Sequence, residues 1–504
     1  MSGARFLAEE YRDRFPDLQR ILADNPGYDL ARHFATHGLA ESRHLSAAPA
    51  AGVDAAFVSG GGFLFVSGWI DDSFLRRNLF AEPPLSARIA MSFHDIPVPE
   101  GAILRTYRRD VKEARGLLED ADLGFVMFFR LPDGVPPADR MTLTLTAGGR
   151  CVRIEGIAPR IVSDGYLVSY YLGFFKALEA GRHHLAGCME AYRRHGATLV
   201  ALWQDHLAVT GVAGVLDLGA PRGRPAFSAL TVFFGKLEFL HAQAAALYPR
   251  LAEAGGELVA VVNTPGLATQ AAELMRYAHA LHGLPIRLVV MEGNAGFARA
   301  NNIAAGLARS DRFLCLNPDV FPMDRTDWGA FAARMAGLEA SEILGARLHY
   351  ADGAVMHDGM TILADPLPRP PDVPTAGAVL LRVDHPLKGA PETLLAPPRP
   401  GPRPVQAVTG SFLMIRRGLF EALGGFATDY VHAYYEDADL CLRAARAGAA
   451  VRCDSAIGLI HLEGRGSGHD GPGPARPAML FNRFLFTERH AGQLAGQMAG
   501  GDGP

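Results

Sequence analysis

Two segments in the second half of a 504-residue chain combine residue types able to hold an anionic ligand or a cation where a strand gives way to a loop. Glu292 to Asn302 reads EGNAGFARANN and enters a helix through two glycines and several amides. Glycines let backbone N–H groups approach a ligand closely, and a helix N-terminus favours an anionic group. An ordinary βα turn capped by Asn294 is the structural alternative. The spacing is not GxGxxG, so a dinucleotide fingerprint is not met. Leu316 to Val320, LNPDV, sets Asp319 in a loop begun by Pro318 at the end of an apolar run. A carboxylate there can hold a hard divalent cation that also takes diphosphate oxygens, although Asn-Pro-Asp is also a common turn.

A third segment, Tyr434 to Asp439, opens a helix with three acids, Glu436, Asp437 and Asp439. Acids at a helix start offset its dipole, and Asp439 with Arg443 forms a stabilising i,i+4 pair. That accounts for Asp439 but not for the adjacent Glu436 and Asp437, since one cap needs only one acid. His461 closes an apolar run, AIGLIH, before a glycine-rich stretch, and reads as a metal ligand or as a structural histidine.

These residues need a scaffold, and the pattern from 226 to 490 supplies one. ALTVFF, ELVAVVN, IRLVVME and RFLCLNP are short apolar runs, with helical spacing between them. Alternating strand and helix implies parallel βα units, whose ligands sit beyond the carboxyl ends of the strands. Those ends are Asn263-Thr264-Pro265, Gly293 to Gly296, and Asn317-Pro318-Asp319. Upstream, residues 1–48 read as a small helical module, 46–53 as a linker, 54–159 as a β-sandwich-like domain with a hairpin at Ala147-Gly148-Gly149, and 160–225 as a helical connector. Residues 491–504 read as a flexible tail.

With 49 basic and 53 acidic residues the chain lacks the cationic excess of a duplex-binding surface, so nucleic acid is not an expected partner. The five cysteines, Cys151, Cys188, Cys315, Cys441 and Cys453, form no CxxC pair and read as reduced, mostly buried thiols. No signal peptide or long apolar span is visible. A cytoplasmic location is expected, with peripheral association at the inner face of the membrane as a further expectation.

Together the segments carry a resemblance. From about 257 to 488 the chain resembles the family 2 glycosyltransferases of GT-A fold, especially the rhamnosyltransferase-like branch, through EGNAGFARANN, LNPDV, VTGSFLMIRR (Val408 to Arg417), GGF (Gly424 to Phe426), YEDADLCLR (Tyr435 to Arg443), His461 and FNRFLFTERH (Phe481 to His490). The resemblance implies a multidomain chain whose C-terminal domain is a Rossmann-like, mainly parallel GT-A sheet. It implies inverting transfer of a sugar from a nucleotide-diphosphate donor to a hydroxyl acceptor, on a glycan or lipid-linked glycan. Asp319 inherits the metal role for Mn²⁺ or Mg²⁺, with His461 as its partner and Asn317 in support. Asp437 becomes the base, with Glu436 as neighbour or acceptor ligand and Gly410 on the acceptor side. Asn263, Asn294, Gly296 and Asn301 would line the donor. The chain departs from the family where Phe234-Gly235-Lys236 ends the first strand and Val262-Asn263-Thr264-Pro265 ends the second. A catalytically silent GT-A-like scaffold or carbohydrate-binding protein is the competing reading.

Overall fold

The computed structural model describes residues 8, 11–12, 15–38, 50–71, 90–93, 96–114, 122–132, 140–147, 150–179, 184–366, 379–395, 401–463 and 477–498. The chain divides into two compact units, Met1–Leu202 and Trp203–Pro504.

Among the described residues of the first unit, α1 (Pro16–Asp24) and α2 (Leu30–His33) precede nine strands. Pro16 suits a first turn, where its missing N–H is not needed. The strands are β1 (Ala50–Ser59), β2 (Phe63–Asp71), β3 (Ala90–Phe93), β4 (Ile96–Pro97), β5 (Ile103–Thr106), β6 (Gly124–Arg130), β7 (Met141–Ala147), β8 (Arg150–Ile157) and β9 (Arg160–Val162). They form two sheets, ordered β5-β6-β2-β1-β9 and β4-β3-β7-β8, over one shared core that includes Leu64, Val66, Phe125, Leu143 and Leu145. Tyr11, Leu18 and Phe34 join that same core, so the helical segment and the strands are one body rather than separate modules. After α3 (Arg109–Ala114), the long α4 (Asp164–Glu179) and α5 (His184–Val209) follow the strands. Phe65 and Phe128 face α4, with Phe128 stacked on Tyr171 at 4.7 Å between ring centroids. Strand β2 is therefore buried on both faces, which is why FLFV reads as an apolar run without alternation.

The second unit opens with β10 (Val212–Leu218), then β11 (Ser228–Phe233), α6 (Glu238–Ala246), α7 (Tyr248–Glu253), β12 (Glu257–Val262), α8 (Ala268–His282), β13 (Ile286–Met291), α9 (Gly296–Leu307) and β14 (Arg312–Leu316). These are the expected βα units. All six residues of β12 are buried, each Val or Leu there contributing about 1.5–3 kcal/mol over exposure. The sheet continues through β15 (Val320–Pro322), α10 (Trp328–Gly337), β16 (Glu342–His349), β17 (Val355–His357), a separate ribbon of β18 (Thr361–Pro366) and β19 (Val379–Asp384), then β20 (Arg403–Pro404), β21 (Phe412–Arg416), α11 (Arg417–Ala422), α12 (Glu436–Arg446), β22 (Ala450–His461) and α13 (Pro477–Met498).

The sheet order is β10-β13-β12-β11-β14-β21-β16-β22-β15. Strands β11 to β14 form a continuous parallel block, and β16 pairs parallel with β22 in the same direction; β21 runs antiparallel between β14 and β16, and β10 and β15 run antiparallel at the two ends. Most strands on this path therefore run one way, as expected of a mainly parallel sheet, with β10, β15 and β21 reversed. The helical connector is corrected: helix fills 164–179 and 184–209, but β9 precedes it and β10 pairs with β13 as the edge of the second sheet. The linker expected over 46–53 gives way to β1 from Ala50, which pairs with β2. Helix α13 continues through 491–498, where a tail was expected. Residues Gly148 and Gly149 lie outside the described residues, although Ala147 and Arg150 pair across that position. Cys188, Cys315, Cys441 and Cys453 are buried and free, while the side chain of Cys151 lies outside the description. Among the described residues no helix is long and apolar enough to cross a membrane.

Candidate active site

Three amides at the entry to α9 are already taken within the chain. Ala295 N–H donates to Asn263 Oδ1 at 2.8 Å, Gly296 N–H to Asn294 Oδ1 at 2.9 Å, and Phe297 N–H to the His432 carbonyl at 2.6 Å. Asn263 Nδ2 in turn donates to Asn294 Oδ1 at 2.8 Å and to the Gly296 carbonyl at 3.2 Å. Asn301 is buried inside α9, donating to the Phe297 carbonyl at 3.0 Å. Gly296 has φ +69°, and a Cβ there would lie 2.8 Å from both the His432 carbonyl oxygen and the Trp203 ring. Only glycine fits, and the pressure comes from the chain itself. As folded, then, Asn263, Asn294, Gly296 and Asn301 brace the start of α9 against the loop before α12, and the capped-turn alternative describes them better than a donor-lining role. The ends of the first two strands are also tied together, Gly235 N–H donating to Thr264 Oγ1 at 2.9 Å.

Asp319 and His461, distant in sequence, meet because β15 pairs with β22 in a register that sets Val320 opposite His461. His461 Nε2 lies 3.2 Å from Asp319 Oδ1, with both side chains nearly buried. Among the described residues neither ring nitrogen of His461 makes a hydrogen bond. A buried imidazole lacking a hydrogen-bond donor or acceptor is costly unless another group takes its lone pair. Two ligands at right angles on one small cation stand about 3 Å apart, so the pair fits adjacent positions on Mn²⁺ or Mg²⁺. Among the described residues no cluster of three His, Cys, Asp or Glu side chains forms, so a cation held by this pair would need further ligands from outside it.

The acid pair sits at the start of α12, after a loop whose His432, Tyr434 and Tyr435 hold φ values of 59°, 87° and 75°. Non-glycine residues there cost free energy and persist only when neighbours impose them. Asn482 on α13 does so: its Oδ1 accepts from Val431 N–H at 3.0 Å, and its Nδ2 donates to the carbonyls of Val431, Ala433 and Tyr434. The two acids then diverge. Glu436 is 5% exposed, its Oε2 has no hydrogen-bond partner among the described residues, and burial beside the Asp437 charge pushes its carboxyl well above the usual range. Glu436 is thus more enclosed than its neighbour Asp437. Asp437 is half-buried; burial raises its pKa, against N–H groups of Gly410 and Ala438 that favour the carboxylate. Its Oδ2 accepts from Gly410 N–H at 2.9 Å.

Three consecutive residues before β21 tie these parts together. Thr409 N–H reaches His357 Nε2 at 3.5 Å, Gly410 N–H reaches Asp437, and Ser411 receives Asn317 twice, from N–H to its carbonyl at 2.9 Å and from Nδ2 to its Oγ at 3.0 Å. Asn317 is thus a brace for the loop that carries Asp319. Gly410 is packed between the Phe297 ring and the Asp437 Cβ, where an added Cβ would stand 3.3 and 3.5 Å away. The motifs did not reveal His357 and His385, whose Nδ1 atoms lie 3.0 Å apart, or the rim pair of Lys388 and Glu463 at 2.6 Å. His385 and Lys388 belong to HPLKGAPE, in the proline-dense stretch from Asp365 to Pro404 that by sequence reads only as a loop over the acceptor side. Asn482 was visible only as a letter of FNRFLFTERH.

No family model matches the chain. Among curated proteins it is similar to the uncharacterized protein y4gI of Sinorhizobium fredii (strain NBRC 101917 / NGR234), at 25% identity over 250 residues, or 49% of this chain and 26% of that protein. The chain therefore spans about a quarter of the length of that relative. Among solved structures it is similar to GalNAc-T7 with UDP, GalNAc and Mn²⁺ (TM-score 0.35, 16% identity, 53% of this chain and 48% of that one). It is similar also to the mannosyltransferase PcManGT from Pyrobaculum calidifontis with GDP-Man and Mn²⁺ (0.33, 14%, 67% and 88%). A third is S. aureus TarS 1–349 with UDP-GlcNAc (0.31, 12%, 50% and 60%). At such identities and TM-scores the weight rests on the site's own residues.

Proposed function

We propose that the chain is an inverting glycosyltransferase of the family 2 type, moving a sugar from a nucleotide-diphosphate donor to a hydroxyl of a bacterial surface polysaccharide or related glycan. The observation that carries this reading is the convergence on Thr409 to Ser411, which sets a raised-pKa carboxylate and an Asp–His pair around one loop. Asp437 takes the acceptor proton as the donor bond breaks; a base whose pKa is lifted towards the working pH is suited to that task. Asp319 and His461 would hold the divalent cation, which supplies charge neutralisation to the leaving diphosphate. The buried free thiols suit the reducing interior where such donors are made.

The test is a melting screen of the full chain against UDP-, GDP- and dTDP-linked sugars with Mn²⁺, followed by assay of nucleotide release. Selective stabilisation by one donor, with slow release of its nucleotide into water, is the expected result. No stabilisation by any of them would overturn the reading. It would leave the silent scaffold, which the self-bonded amides after β13 favour.

A further inference from the structure

The buried histidine pair has no part in the reaction as described. A backbone N–H can only donate, and two of them, from Gly359 at 3.3 Å and Thr409 at 3.5 Å, are directed at His357 Nε2. That nitrogen must carry the lone pair, so the proton of a neutral His357 sits on Nδ1. His357 Nδ1 lies 3.0 Å from His385 Nδ1, a distance that requires one donor and one acceptor. His385 Nδ1 therefore accepts, and its own proton is confined to Nε2. Burial holds both rings neutral, reinforced at His357 by His385, His461, Arg403 and Lys388, and at His385 by Lys388 against Asp437, Glu463 and Asp384. His357 is fully buried, whereas His385 is half-buried just beyond the carboxyl end of β19, near enough to Asp437 for its charge to act on the ring. Asp437 and His385 make no hydrogen bond with each other among the described residues. A donor and an acceptor thus stand apart beside one loop, each fixed through it.

We propose that His385 is an acceptor-orienting residue: its Nε2–H donates to an oxygen of the acceptor while Asp437 takes the proton of the attacking hydroxyl, and His357 is the positioning residue that fixes the tautomer. His385 gives up no proton, so the proton count of the transfer is unchanged. The inference rests on the transferase reading above.

Two measurements test it on the full chain. Long-range ¹⁵N–¹H spectra of ¹⁵N-histidine protein, assigned with His357→Gln and His385→Gln, should show His357 protonated at Nδ1 and His385 at Nε2. The reverse pattern, or imidazolium at neutral pH, would overturn the proposal. Hydrolysis of the nucleotide sugar selected by the melting screen, with water as acceptor, should then fall about tenfold or more in kcat for His385→Phe at unchanged donor KM. His385→Gln, which keeps an N–H donor, should recover most of that loss. Equal rates in wild type and His385→Phe would remove the orienting role. If the wild-type chain binds no nucleotide sugar, the transferase reading fails and takes the orienting role with it. The spectra would still report whether the tautomer pair exists.

Discussion

A proton acceptor and an ion-binding pair differ in what one substitution should do. Asp437→Asn keeps the shape, and its Oδ1 can still accept from Gly410 N–H, but it cannot take a proton. Turnover should drop by about 100-fold or more while donor-induced stabilisation persists. Its carboxyl is raised, so the active carboxylate fills only above the ordinary range near 4. The acid limb of kcat/KM should therefore lie above that range and vanish from the residual rate of Asp437→Asn. Glu436→Gln replaces a carboxyl that burial raises well above the usual range and should leave the acid limb in place; loss of the limb in that variant would move the base to Glu436. His461→Ala should weaken Mn²⁺-dependent donor stabilisation and shift preference towards Mg²⁺, since imidazole favours the softer ion. An unchanged Mn²⁺ titration would return His461 to a structural role.

At the scale of elements, what aims Asp437 is a loop that its own residues disfavour. Asn482→Ala removes four hydrogen bonds that hold 431–434, exposing backbone groups and releasing three positive-φ residues. It should cost about 2–3 kcal/mol of stability by chemical denaturation and lower kcat more than donor affinity. Rates and melting equal to wild type would show that the loop holds itself. The first unit offers a pH test. His195, bonded to Tyr171 Oη at 3.0 Å and the Ala102 carbonyl at 2.9 Å, is lowered by burial to about 4. Unfolded, it takes up a proton near 6.5; folded, it resists until about 4. Its contribution is thus present above 6.5 and is lost as pH falls between the two, about 3 kcal/mol in all. His195→Gln should flatten that part of the stability profile.

These elements also show where the sequence could be read. Strands β11 to β14 were legible because burial on both faces leaves uninterrupted Val, Leu and Phe. Asp437 stood out because dipole and capping account for fewer acids than the helix start carries. Strand β10, VAGVLDL, escaped because it is an exposed edge, so no burial pattern separates it from the helix before it. The occupied side-chain amide of Asn294 could not be foreseen, since His432 reaches it only through the fold. The His357–His385 pair joins β17 to the end of β19 across a ribbon that leaves no periodic signal in its proline-rich stretch.

For the molecule as a whole, the domain boundary decides which fragment can carry the site. A cut at 226, where the apolar βα pattern begins, would discard β10 and the end of α5. Yet Trp203 is 1% exposed, its Nε1–H donates to the Thr428 carbonyl at 2.9 Å, and its ring packs on His432 at 5.0 Å between centroids. His206 Nε2 meets the Asn294 carbonyl at 2.9 Å, and Gln204 Nε2 meets Asp429 Oδ1 at 3.0 Å. These three side chains hold the loop that leads to Asp437 and the turn that opens α9. Losing a buried tryptophan alone costs about 3–5 kcal/mol, and removing β10 exposes the hydrogen-bonding edge of β13. A fragment of residues 184–504, which keeps α5, should therefore melt cooperatively and retain donor-induced stabilisation. The 226–504 fragment should melt far lower or aggregate. The single change Trp203→Ala in the longer fragment should reproduce much of that loss, separating the tryptophan from the missing strand. Equal melting of the two fragments would place the boundary at 226 after all and make α5 dispensable to the site.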